Sequence, residues 1–161
     1  MKKNRYAGMN ITNRKKRGEW AEAVFAERTI REGLPLAKPW GDSFGYDFMV
    51  EQDNARIVRV QVKSTTFREG EGYSCTLQSS RGRGPYTKNS FEFVAAYVIP
   101  EDLWYILPEK KVRGMWSVAL HPELKKSKFS EYQEAWHLLH GPLPGLIARI
   151  EAVADEDFPE V

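Results

Sequence analysis

Cysteine is almost missing: Cys75 stands alone in 161 residues. That excludes an intramolecular disulfide and any zinc site built on several cysteines. No apolar run approaches the ~18 residues a membrane-spanning helix requires. The start, Met1-Lys2-Lys3-Asn4-Arg5, leads into no apolar segment of the secretory kind. A cytoplasmic protein with no membrane partner is therefore expected. Histidines number three. His137 and His140 lie three apart in an expected helix, but without an HExxH pattern they read as ordinary surface or half-buried residues, as does His121. The Arg81-Gly82-Arg83-Gly84 run is followed by no Lys-Ser/Thr pair, which argues against a phosphate-binding nucleotide loop. No internal repeat is visible.

What is present is the composition of one ordinary globular domain, 42% hydrophobic and 29% charged. The net charge of +2 conceals an asymmetry. Residues 151–161 contain Glu151, Asp155, Glu156, Asp157 and Glu160 and no base, and read as an acidic tail. Residues 1–16 read as a flexible basic arm, with the domain proper over 17–150. Lys15, Lys16 and Arg17 precede the first acid, Glu19, and a second basic loop carries Arg81, Arg83 and Lys88. Basic arms and loops of this kind neutralise phosphates and release counterions, so these six residues are the expected nucleic-acid contacts. A solvated positive surface without a partner is the competing reading.

Trp20, Val24, Phe25 and Ile30 recur at helical spacing and predict a helix from Arg17 to Gly33, where glycine supplies the stop. Leu34 to Pro39 is extended and residues 40–45 form a loop. Strands are expected at Tyr46–Glu51, Arg56–Thr65, 73–78, Glu92–Ile99, Leu103–Leu107 and Trp116–Leu120. Helices are expected at Glu131–Leu139 and Leu146–Ala154. A helix, a run of strands and further helices make an α/β fold with a mixed sheet flanked by helices.

The first two strands carry the most information. Side chains alternate faces along a strand, so Val58, Val60 and Val62 share one side while Arg59, Gln61 and Lys63 share the other. Burying Phe48 and Val50 with the valines requires Phe48 opposite Val60 and Val50 opposite Val58. A three-residue turn, Asp53-Asn54-Ala55, then remains. The same register sets Asp47 opposite Gln61, roughly 5 Å apart at Cβ, with Lys63 two residues further on. A carboxylate, an amide oxygen and an ammonium on one patch suit a hard divalent cation and phosphodiester hydrolysis. A solvated polar face with an Asp–Lys pair would show the same spacing. Glu19 and Glu22, three apart on the first helix, could bring a further acid to the patch, although such residues usually face solvent.

Gly18-x-x-x-Glu22, Gly45-Tyr46-Asp47 and Val60-Gln61-Val62-Lys63-Ser64-Thr65, in that order, resemble the PD-(D/E)XK nuclease superfamily. The similarity is greatest to its Gln-x-Lys branch, which includes group I intron-associated homing endonucleases. The helix motif also resembles archaeal Holliday-junction resolvases. The apolar segments Phe91–Pro100 and Trp104–Pro108 resemble the strands that follow the lysine in that branch. The resemblance spans roughly residues 17–108. It implies a restriction-endonuclease-like core and metal-dependent cleavage of DNA by Lys63, Asp47, Gln61 and Glu22. The implied metal ligands are Asp47, Gln61, Glu22 and the carbonyl of Val62, with Mg²⁺ as the usual ion and Mn²⁺ as its substitute. Pairing of two active sites in a homodimer or higher homo-oligomer is a further implication. Two residues depart from the pattern: Tyr46 stands where proline usually precedes the aspartate, and Gln61 replaces an acid. Asp42 is the fallback aspartate. A nucleic-acid-binding module that keeps the fold without catalysis is the alternative.

Overall fold

The computed structural model describes residues 12–41, 43–78, 86 and 88–142. Its first element is helix α1, Arg14–Arg31. It begins three residues before the expected start because the Asn13 side chain accepts the Lys16 backbone N–H at 3.0 Å, satisfying one of the helix's orphan donors. Lys15 and Lys16 thus belong to the exposed first turn rather than to an arm. Ala21, Phe25 and Thr29, four residues apart, form its buried face. Gly33, at φ +82°, ends it.

Five strands form the main sheet in the order β1-β2-β3-β6-β7: Leu36–Ala37, Phe48–Glu51, Ile57–Thr65, Phe93–Val98 and Leu103–Pro108. Only β3 and β6 run parallel, so the sheet is mixed. The hairpin register is the expected one, Phe48 opposite Val60 and Val50 opposite Val58. Its three-residue turn is closed by the Gln52 N–H donating to Arg56 O at 2.8 Å, with Ala55 in the left-handed region at φ 64°.

A second, three-stranded antiparallel sheet has the order β4-β5-β8: Arg68–Glu69, Gly72–Thr76 and Ser117–Leu120. The two sheets and α1 explain why β6 and β7 are apolar throughout. Ala95, Tyr97, Trp104 and Ile106 face α1, packing with Phe25, Val50, Val60 and Trp136. Val94, Ala96, Val98, Tyr105 and Leu107 face the small sheet, packing with Tyr73, Cys75, Leu77 and Val118. A strand covered on both faces has no reason to alternate. Tyr97 and Trp104 stack across the β6–β7 hairpin at 4.4 Å and 9°, a pairing worth about 1 kcal/mol beyond its buried area.

The helix expected at Glu131–Leu139 does not form. A 3₁₀ turn, Ser130–Tyr132, is followed by a single helical turn, α3 (His137–His140); a four-residue helix, α2 (Glu109–Val112), follows β7. Between the turn and α3, Gln133 bridges Tyr105, and Glu134, at φ 50°, exchanges hydrogen bonds with Trp104. The Glu134 carboxylate also accepts from the Trp136 indole and Arg28. Pairing with the open edge of β7 outcompetes local helix propensity here. The helix expected at Leu146–Ala154, the acidic tail, residues 1–11 and Asp42 lie outside the described residues.

Gly72 is where the small sheet closes most tightly. A Cβ there would meet the Leu120 carbonyl at 2.6 Å and His121 Nδ1 at 2.4 Å. Gly72→Ala should therefore cost about 1–3 kcal/mol through overpacking, read as a lower midpoint in chemical unfolding. An unchanged midpoint would mean that β8 is free to move away from β5.

Candidate active site

Asp47 sits at the mouth of the hairpin, where its backbone N–H still donates to Val60 O at 2.9 Å. Its carboxylate turns back onto β3. Oδ2 accepts from the Val62 N–H at 2.7 Å and from the Gln61 side-chain amide at 2.5 Å. The same amide nitrogen lies 3.3 Å from the Val62 carbonyl oxygen. One carboxylate oxygen, one backbone carbonyl and one amide therefore converge at a single point, with Gln61 almost fully buried at 8% exposure.

Burial raises the Asp47 pKa from 3.8 to about 6, with Glu22 adding to the rise; the Val62 N–H, Lys63 and Lys38 oppose it. Glu22 thus lies within the field of Asp47, carried there by α1, and its carboxylate pairs with the Lys38 ammonium. Lys38, which the sequence did not single out, also reaches over the Phe48 ring at 5.5 Å. It supplies positive charge beside two carboxylates that would otherwise repel.

Lys63 shares the Gln61 face, which is the face the small sheet covers. Its ammonium donates to the carbonyl of Gln78, just beyond β5, at 3.0 Å. Desolvation by burial lowers its pKa, partly offset by the Asp47 charge. Partial burial thus moves the lysine towards its neutral form and the aspartate towards its own, which narrows the gap between an acid and a base on one patch.

The basic residues are arranged less simply. Lys15 and Lys16 are exposed, and Lys15 approaches Glu19 at 4.0 Å. Arg17 is half-buried and donates to Thr66 Oγ1 at 3.3 Å, tying α1 to the end of β3. Lys88 is exposed; Arg81 and Arg83 lie outside the described residues. Among the described residues, no group of three or more His, Cys, Asp or Glu side chains could hold a metal. His140 Nδ1 instead meets Asp53 at 3.0 Å.

A mixed sheet that brings an aspartate, an amide and a lysine together from two paired strands defines a nuclease of the restriction-endonuclease-like class. Residues 12–139 match the family model of the PD-(D/E)XK endonucleases, and the chain belongs to that family. It is accordingly a DNA endonuclease, and dependence on a divalent metal is general to that fold. Among solved structures, the chain is similar to a bacterial homing endonuclease, I-Ssp6803I. The TM-score is 0.69 at 26% identity, covering 85% of this chain and 98% of the other. Among curated proteins, none matches the chain.

Proposed function

We propose that the chain is a Mg²⁺-dependent endodeoxyribonuclease centred on Asp47, Gln61 and Lys63, with Glu22 completing the site and Mn²⁺ able to substitute. The observation that carries this reading is the convergence of Asp47 Oδ2, the Val62 carbonyl and the Gln61 amide. These groups fit a hard cation, which prefers oxygen donors and few of them from protein. As the site stands, the amide N–H₂ satisfies the two oxygens. A half-turn of the amide would present Oε1 to the same point, unfavourable alone and favourable around a cation. Gln61 brings no charge, so Asp47 and Glu22 are the carboxylates left to neutralise the ion, and affinity should be modest.

The bound ion would polarise the phosphate and supply a nucleophilic water. The residues of the chain do the rest. Asp47, fixed by two donors, holds the approach direction. Lys63 accepts a proton from the attacking water or balances the charge that grows on the phosphate oxygens. A P–O bond forms to that water, the P–O bond to the departing sugar breaks, and the leaving sugar oxygen takes a proton from solvent water. Lys15, Lys16, Arg17, Arg81, Arg83 and Lys88 would supply the contacts to the DNA backbone. No helix among the described residues is long and apolar enough to cross a membrane. A cytoplasmic protein and a homodimer or higher homo-oligomer, pairing two sites to cut two strands, complete the proposal.

Supercoiled plasmid incubated with Mg²⁺, Mn²⁺ or EDTA provides the test. Nicking with either ion and none in EDTA is expected. Salt-sensitive retardation of DNA without cleavage under any metal would instead favour a binding module, the outcome that Gln61 in place of an acid would motivate.

A further inference from the structure

Lys63 has an aromatic neighbour, Tyr86. Its ammonium lies 5.1 Å from the centre of the Tyr86 ring, over the face. An ammonium at that position is attracted by the ring quadrupole, and more strongly where water is thinned out. Tyr86 is itself held. It meets Phe91 edge-on at 4.9 Å and 77°, and Phe91 is buried at 4% exposure two residues before β6 begins. Strand β6 runs beside β3 and sets Ala96 next to Lys63. The ring is therefore braced against the same sheet that carries the lysine. Burial pushes its hydroxyl pKa up and the Asp47 charge adds to the rise, which places the ring within the field of the aspartate as well.

These contacts divide the donors of the ammonium. One is taken by Gln78 O, and the ring face closes off a second direction. A lysine has four rotatable bonds, and a backbone oxygen alone does not fix its reach.

We infer that Tyr86 is a positioning residue of the nuclease site, its ring acting as the shelf that holds the Lys63 ammonium in its working position. This rests on the reading of Lys63 as part of the catalytic centre. The aromatic face is what matters, so phenylalanine should replace tyrosine and an aliphatic residue should not.

The test combines single-turnover plasmid cleavage at saturating protein with DNA retardation and lysine side-chain NMR, on wild type, Tyr86→Phe and Tyr86→Leu. Tyr86→Leu should lower the cleavage rate constant about 10- to 100-fold, the scale of a displaced catalytic group, with DNA affinity unchanged. Tyr86→Phe should keep the wild-type rate. In wild type and Tyr86→Phe the Lys63 Hε signal, assigned by its loss in Lys63→Arg, should be displaced upfield by the ring. In Tyr86→Leu it should return to the position of free lysine. A loss in DNA affinity rather than rate, equal damage in Tyr86→Phe and Tyr86→Leu, or a Lys63 signal unmoved by removal of the ring would each overturn the proposal. Wild-type protein that does not cleave would bring down the nuclease reading and this inference with it. Wild-type cleavage with unimpaired Tyr86→Leu would overturn the inference alone.

Discussion

Lys63→Ala should abolish plasmid cleavage, lowering the rate about 10²- to 10⁴-fold, while DNA retardation at low salt changes by no more than a few-fold. The lysine is a single cation among several basic residues, so its share of non-specific phosphate attraction is small. Its share of the chemistry is large, because no other ammonium lies on the Gln61 face in contact with Gln78 O and Tyr86 among the described residues. Folding should survive. Removing the ammonium relieves a desolvation cost and leaves Gln78 O with one donor fewer, two small terms of opposite sign. Lys63→Arg should not restore the rate, because a guanidinium stays protonated and is too broad for the space beneath the ring. Cleavage by Lys63→Ala at the wild-type rate would place the catalytic centre away from the hairpin.

The part of this site that lay open in the sequence is the part fixed by a two-residue period. Phe48, Val50, Val58 and Val60 can be buried together in one register only, and that register alone brings Asp47 to Gln61. Glu22 was reachable through family resemblance, since helical spacing says only which face it occupies. Lys38 and Gln78 were not reachable as site residues, and Tyr86 could be read only as a phosphate contact of its loop, not as the neighbour of Lys63. Each arrives from a loop or strand end, where position depends on tertiary packing and no periodicity exists to read. The small sheet was half visible. Its longer strands carry apolar alternation, but Arg68–Glu69 is two charged residues beside a Gly70 turn and looks like loop until its partner is known. The missing helix at Glu131–Leu139 fails for a related reason. Trp136 and Leu139 have helical spacing from Tyr132, yet both are buried from a chain that first pairs with β7 and then turns at Glu134.

Asp47→Asn should eliminate metal-dependent cleavage and yet make the metal-free protein more stable at neutral pH. The carboxyl of the folded protein titrates at about 6 against an ordinary 3.8, chiefly because burial penalises its charged form. Folding therefore favours the protonated group. The penalty is absent below pH 4, grows between the two values and is complete above pH 6. One pK unit corresponds to about 1.4 kcal/mol, so removing the charge should recover on the order of 1–3 kcal/mol at pH 7. For a domain of this size that is a rise in Tm of roughly 3–9 °C. Asparagine keeps an oxygen to accept from the Val62 N–H and the Gln61 amide, so the local hydrogen bonds survive. Thermal unfolding in EDTA at pH 7 and pH 4 checks the claim: the gap between variant and wild type should close as the pH falls. Added Mg²⁺ or Mn²⁺ should reverse the order, raising the wild-type Tm by binding the native state and leaving Asp47→Asn nearly unmoved. A variant less stable than wild type in EDTA at pH 7 would show that the Asp47 charge supports the fold. A carboxylate kept for the cation it is placed to receive carries the opposite sign, a cost in stability that the charge-free variant escapes.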